Sequence, residues 1–236
     1  MRRYENYKNC LGNYNFDFLF EAVINPEDYL NEINETINKV YFLLKKLNFN
    51  DKKLASKITN LLTTFFKKNK IEFIFQSWIE DGDDIFIEYG LNGGATKANG
   101  KIGIFCNENL FKILDKNFFD AFKVYFLKIL KHELIHRGQA LRIKDNKIKI
   151  QILEKDFKND FEYLKHPQEM MARAWDIVEV YRSIGYSSNE ILNILKSRSK
   201  EKGFSNTLLV YHKVFKDYPQ ILKLLYKYMY LYLKER

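Results

Sequence analysis

Residues 118 to 136 place the tightest constraint on how this chain can fold. Phe118, Phe122, Tyr125, Phe126, Ile129 and Leu130 recur at helical spacing and cover enough of the helix to require that it be largely buried. The same helix then carries His132-Glu133-Leu134-Ile135-His136. Positions i and i+4 share a helix face, so both imidazoles can point at one ion. Glu133 follows the first histidine, where its carboxylate can reach a water on that ion. Asn117 reads as the N-cap, Asp120 supplies charge to the first turn, and Gly138 reads as the residue that ends the helix. A helix that stays buried up to two ligands and then stops would leave the ion facing a cleft.

The segments before this helix change period at Ile71. Asn25-Pro26-Glu27-Asp28 is a helix start, and Leu30, Ile33, Ile37, Val40, Tyr41, Leu44 and Leu47 follow at helical spacing. A second helix starts at Asp51, with Leu54, Ile58, Leu61, Leu62 and Phe65 on its apolar face. Ile71 to Phe75 is rich in β-formers and predicts a strand. Asp81 to Asp84 predicts a turn, and Ile85 to Tyr89 a second strand. Six of the ten glycines lie between Gly82 and Gly103. Gly93-Gly94 and Asn99-Gly100 predict a loop leading to a third strand at Lys101 to Cys106. No glycine pattern here opens a helix in the way a nucleotide-binding loop does.

Beyond the motif, residues 139–160 are basic and weakly patterned, with a hairpin expected around Asp145-Asn146. His166-Pro167-Gln168-Glu169 starts another helix, with proline at N1 and glutamate at N3, running to about Gly185. Two or three further helices reach Arg236, with Ser187 or Ser188 and Pro219 as their boundaries.

Charge and cysteine content narrow the setting. The formal net charge is +9, but lysines are scattered along nearly every helix with acids interleaved. That pattern reads as a solvated surface before a nucleic-acid patch, so nucleic acid is a disfavoured partner. Cys10 and Cys106 are far apart and form no CxxC pair, which fits a reducing compartment. The N-terminus shows no apolar leader, and Leu222 to Leu233 is too short and too lysine-interrupted to span a bilayer. The expectation is a soluble, cytoplasmic protein with no membrane span.

A catalytic zinc takes three protein ligands and keeps one open position. Ala140 to Ile143 contains no histidine, so the third ligand lies further on: Glu162, His166, Glu169, Asp176, Glu179 and His212 are the candidates. Glu169 is preferred, because it lies in the first turn of a helix expected to cross near the first one. With Tyr163-Leu164, Pro167, Glu169 and Ala172, the H-E-L-I-H segment resembles zinc metallopeptidases of the gluzincin kind, several of them encoded by phages. The resemblance covers about residues 71–185. It implies that His132, His136 and Glu169 bind Zn2+ and that Glu133 is the general base. Arg173 departs from the gluzincin E-x-x-x-D pattern, which leaves Asp176 as the acid that could orient a histidine from outside the ligand shell.

The expected architecture is α+β: mainly helical, with a small antiparallel or mixed three-stranded sheet packed on the H-E-x-x-H helix in a zincin-like core. Residues 1–70 would be an N-terminal helical region, 71–185 the core and 186–236 a C-terminal helical region, together one compact unit. The expected activity is peptide-bond hydrolysis, with water activated by Glu133 and the oxyanion met by His166 or Tyr163, and Arg173 ranked behind them. The third strand is the expected edge for a peptide substrate to add to. Two alternatives stand beside this. One is an SprT-like protease acting on nucleic-acid-bound proteins. The other is a non-catalytic viral binding or structural protein that keeps a zincin fold, against which the intact Glu133 argues.

Overall fold

The computed structural model describes residues 23–48, 51, 53–76, 91–97, 99–107, 118–145, 160–196 and 204–234. It divides into two units, Pro26–Ile148, and Met1–Asn25 with Lys149–Arg236. The two N-terminal helices cluster with the sheet, and the helix that starts at Pro167 clusters with the C-terminal helices.

In the unit Pro26–Ile148, α1 (Pro26–Lys45) starts on proline, carries Glu27 and Asp28 in its first turn, and buries Leu30, Ile33, Ile37, Val40 and Leu44. Helix α2 (Leu54–Phe66) buries Leu54, Ile58, Leu62 and Phe66. A 3-10 turn at Lys67–Asn69 and a left-handed Lys70 (φ 57°) turn the chain into β1 (Ile71–Gln76). β2 (Leu91–Thr96) and β3 (Ile102–Asn107) complete a three-stranded sheet of order β1-β3-β2. β3 runs parallel to β1 and antiparallel to β2, so the sheet is mixed and the purely antiparallel alternative is excluded. β3 is also the central strand, not the edge expected for substrate, and Ile102, Ile104 and Cys106 on it are fully buried.

The turn expected at Asn99-Gly100 is present. The Lys97 amide donates to the Lys101 carbonyl at 2.8 Å, and Gly100 takes φ 76°. Gly93-Gly94, expected in a loop, lies inside β2. The strand expected at Ile85 to Tyr89, the turn at Asp81 to Asp84, the Asn117 cap and the segment after Asp145 lie outside the described residues.

Helix α3 (Phe118–Asp145) runs seven residues past Gly138, so Gly138 is an interior residue and not the helix end expected. Glycine inside a helix costs roughly 1 kcal/mol relative to alanine. Burial of Ala140 (2 % exposed) on the continued helix and the hydrogen bond of the buried Gln139 to His136 offset that cost. The core joins α2, β1 and α3 through Phe66, Phe73 and Phe126, whose ring centroids lie 5.3 to 5.6 Å apart.

Among its described residues the other unit carries the helices α4 (Asp160–Leu164), α5 (Pro167–Ser183), α6 (Ser188–Lys196), α7 (Asn206–Val214) and α8 (Pro219–Lys234). The starts expected at Pro167, Ser188 and Pro219 are all present. Ser187 and Glu190 cap α6 reciprocally, through the Ser187 amide to the Glu190 carboxylate and the Glu190 amide to the Ser187 hydroxyl. Helix α5 is buried along most of its length and packs on α8. Arg182 donates to the Tyr232 carbonyl at 3.0 Å, and the Tyr232 hydroxyl to the Ile24 carbonyl at 3.1 Å. Among the described residues no helix is long and apolar enough to cross a membrane.

Candidate metal centre

Helical spacing does at His132 and His136 what the sequence requires of it. The two Nε2 atoms stand 3.2 Å apart, with ring centroids 4.9 Å apart and planes at 74°. Two ligands on a tetrahedral zinc, each at about 2.0–2.1 Å, are separated by about 3.3 Å, so the pair already has the spacing of a bidentate nitrogen site. The Gln139 side-chain oxygen lies 2.8 Å from His136 Nδ1. With that oxygen accepting, Nδ1 carries the proton and the Nε2 lone pair is left for an ion. Gln139 is three residues after His136, on the same face of a helix that did not stop at Gly138.

Glu133 is 5 % exposed and held by β2. The Thr96 hydroxyl lies 2.8 Å from Glu133 Oε2 and 3.0 Å from the Glu133 carbonyl. Gly94 faces the same carboxylate: a Cβ there would come within 2.5 Å of Glu133 Cγ. Arg137, next to His136, anchors this stretch of α3. It donates to the Gly100, Asn69 and Lys70 carbonyls at 2.8, 3.0 and 3.3 Å, tying α3 to both the β2–β3 turn and the entry to β1. Burial lowers its pKa, opposed by the charges of Glu32 and Tyr29.

In the helical unit, Glu169, Arg173 and Asp176 follow at i, i+4 and i+7 and share one face of α5. Glu169 is 1 % exposed, and Arg173 Nε donates to its Oε1 at 2.7 Å. Arg173 Nη1 lies 3.6 Å from Asp176 Oδ2. Burial works against the Arg173 charge, but Glu169 and then Asp176 outweigh it, and the guanidinium is held protonated more firmly than usual. Two carboxylates against one guanidinium leave this face anionic. The Tyr163 hydroxyl is pushed above its ordinary pKa, first by burial and then by the Glu169 charge, and it hydrogen-bonds with Glu169 and Arg173. Tyr211 is raised by burial and by Glu169 in the same way; its hydroxyl donates to the Leu164 carbonyl at 3.1 Å.

Comparison of the chain with protein-family models, curated proteins and solved structures found no match. The geometry of the chain itself is therefore what identifies the centre. Among the described residues, His132, His136 and Glu169 are the group of ligating side chains that could hold a metal ion. Two imidazole nitrogens and one carboxylate oxygen form a donor set that suits zinc and other first-row divalent ions better than calcium or magnesium. The other sequence candidates have different roles. Glu162 pairs with Lys165 at 2.7 Å, Glu179 with Arg182 at 2.9 Å, and His212 with the Tyr226 hydroxyl at 2.6 Å. His166 is the N-cap of α5, its Nδ1 accepting from the Gln168 amide at 3.4 Å. Asp176 pairs with Arg173. Sequence reasoning missed Gly94, Thr96 and Gln139. Only Gln139 had a signal, its position three residues beyond His136 on one helix face.

Proposed function

We propose that this chain is a zinc-dependent metallopeptidase of the zincin kind, with His132, His136 and Glu169 as the metal ligands and Glu133 as the general base. The observation that carries the reading is the pair of imidazole nitrogens 3.2 Å apart on one face of α3, with the buried Glu133 between them in sequence. Glu133 beside them supports hydrolysis over a purely structural metal, because a structural site has no need of a base.

When bound, the ion supplies Lewis-acid polarisation of the scissile carbonyl and lowers the pKa of water. The chain's own residues do the rest. His132 and His136 hold the ion from one face of α3, with Gln139 setting the His136 tautomer. Glu169 adds the third donor and is itself held by Arg173 and Tyr163. Glu133 takes a proton from the attacking water and passes it to the leaving amine. Tyr163 is committed to Glu169 and His166 to capping α5, which favours positioning roles for both over direct contact with an oxyanion. Among the described strands β2 lies at a sheet edge and packs on α3, so β2, rather than β3, is the strand along which an extended peptide would lie.

The test is metal analysis of protein purified without chelator, beside cleavage of a peptide library by wild-type protein and Glu133→Ala. The expected result is about one zinc per chain in both proteins and cleavage by the wild type alone. Protein that retains no divalent metal and is indifferent to His132→Ala would sink the assignment.

A further inference from the structure

Leu91, Gly94 and Thr96 cannot share one face of a regular strand, because side chains alternate and Leu91 is of opposite parity to the other two. The β2–β3 register shifts between Leu91 and Gly94, which marks an irregularity at that point in β2. An inserted residue restores a common face. Leu91 stays fully buried in the core, while Gly94 and Thr96 both arrive at Glu133. Bulges are a recognised means of re-aiming side chains beside sites.

We propose that the β2 bulge is the device that orients the base, with Thr96 as the positioning residue of Glu133 and Gly94 providing the space its carboxylate occupies. This rests on the metallopeptidase reading above. The Thr96 hydroxyl has one proton to donate. The 2.8 Å contact to Oε2 is the shorter of its two, and the carboxylate is the stronger acceptor. A hydroxyl at that point fixes the rotation of the Glu133 carboxyl group about its terminal bond, which is otherwise broad and roughly two-fold. Alanine at position 94 would place a methyl group 2.5 Å from Glu133 Cγ and 2.9 Å from its carboxyl carbon, so the glutamate would have to turn away. Residues 94 and 96 therefore act on one atom group from one strand face, one by donating and the other by leaving room.

A structural role is the competing account, since the same hydroxyl also reaches the Glu133 carbonyl and could merely fasten β2 to α3. The experiment separates the two. Zinc-loaded wild type, Thr96→Val, Thr96→Ser, Gly94→Ala and Glu133→Gln are compared by zinc content, thermal melting and calorimetric binding of acetohydroxamate, a small zinc-binding probe that needs a base to accept its proton. Glu133→Gln should keep zinc and bind the probe at least about tenfold more weakly, the size of a charge-assisted hydrogen bond. Thr96→Val should keep zinc and weaken the probe several-fold to about tenfold, with Thr96→Ser close to wild type. Gly94→Ala should weaken the probe as well. Zinc-loaded Thr96→Val that binds the probe as wild type does, while Glu133→Gln does not, overturns the positioning role and leaves the metallopeptidase reading intact. Wild type that takes up no zinc overturns both.

Discussion

Arg173 Nε donates to Glu169 Oε1 at 2.7 Å, placing a guanidinium on the proposed third metal ligand, at the position where the gluzincin pattern has an aspartate. Glu169 is almost fully buried, and Asp176 shares the same arginine. An ion and Arg173 would therefore serve the same carboxylate. Arg173→Met should destabilise the metal-free protein by about 2 kcal/mol, less than a fully buried pair would lose because the arginine side chain is a third exposed. Saturating zinc should reduce that loss. Urea unfolding with chelator and with zinc checks this; an equal loss in both would show that the two cations do not serve one carboxylate.

In the proposed centre Gln139 would act on an ion through His136, whose Nδ1 lies 2.8 Å from its side-chain oxygen. Gln139→Leu preserves size and removes the acceptor that fixes the ring tautomer. It should weaken zinc retention by roughly 10–100-fold, as loss of an outer hydrogen-bond partner does. Competition against a zinc-binding dye measures this directly. Unchanged affinity would remove Gln139 from the centre.

Glu169 and Glu162 distinguish a ligand from a nearby acid. Glu169→Gln should reduce zinc affinity by more than the roughly 100-fold upper range for an outer partner. Glu162→Gln weakens the pair that the half-exposed Glu162 makes with Lys165 and should leave affinity within about twofold. If His166→Ala proves the damaging change, the third ligand has been misassigned.

His212 provides a pH-dependent contribution away from the centre. Burial lowers its pKa, and its Nε2 lies 2.6 Å from the Tyr226 hydroxyl. The folded value lies below the unfolded one of about 6.5, so the unfolded chain takes up the proton first. The contribution is fully present above about pH 6.5 and is lost as the pH falls through the lower folded value. Between about pH 7 and pH 5, wild type should therefore lose stability faster than His212→Phe, which keeps the stack on Phe204. Urea midpoints at several pH values test this, and parallel curves for the two proteins would rule it out.

Much of the helical framework was legible in the sequence, because proline starts and apolar spacing act locally. Pro26, Pro167 and Pro219 each begin a helix, and His132 and His136 converge because i and i+4 must. The errors share a cause. Backbone freedom alone makes Gly93, Gly94 and Gly138 look like loop and stop signals. Gly94 instead pairs with Ile104 of β3 and Gly138 lies inside α3, where those contacts outweigh glycine's local cost, while Gly93 falls at the register shift within β2. Thr96 and Gly94 were out of reach for another reason. They meet Glu133 from 37 and 39 residues away, and no local pattern encodes a contact across a bulge.

The length of α3 has a consequence for how the centre responds to metal. At 28 residues and 1.5 Å per residue the helix spans about 42 Å, and the two histidines lie well inside it. Helix ends fray and interior turns do not, so the backbone amides around Glu133 should exchange with solvent slowly whether or not an ion is present. Chelation would then empty the centre without melting its scaffold, unlike small zinc modules that fold only on loading. Such a protein could be made, stored and refilled as an intact fold, with occupancy of the proposed centre set by metal supply and not by refolding.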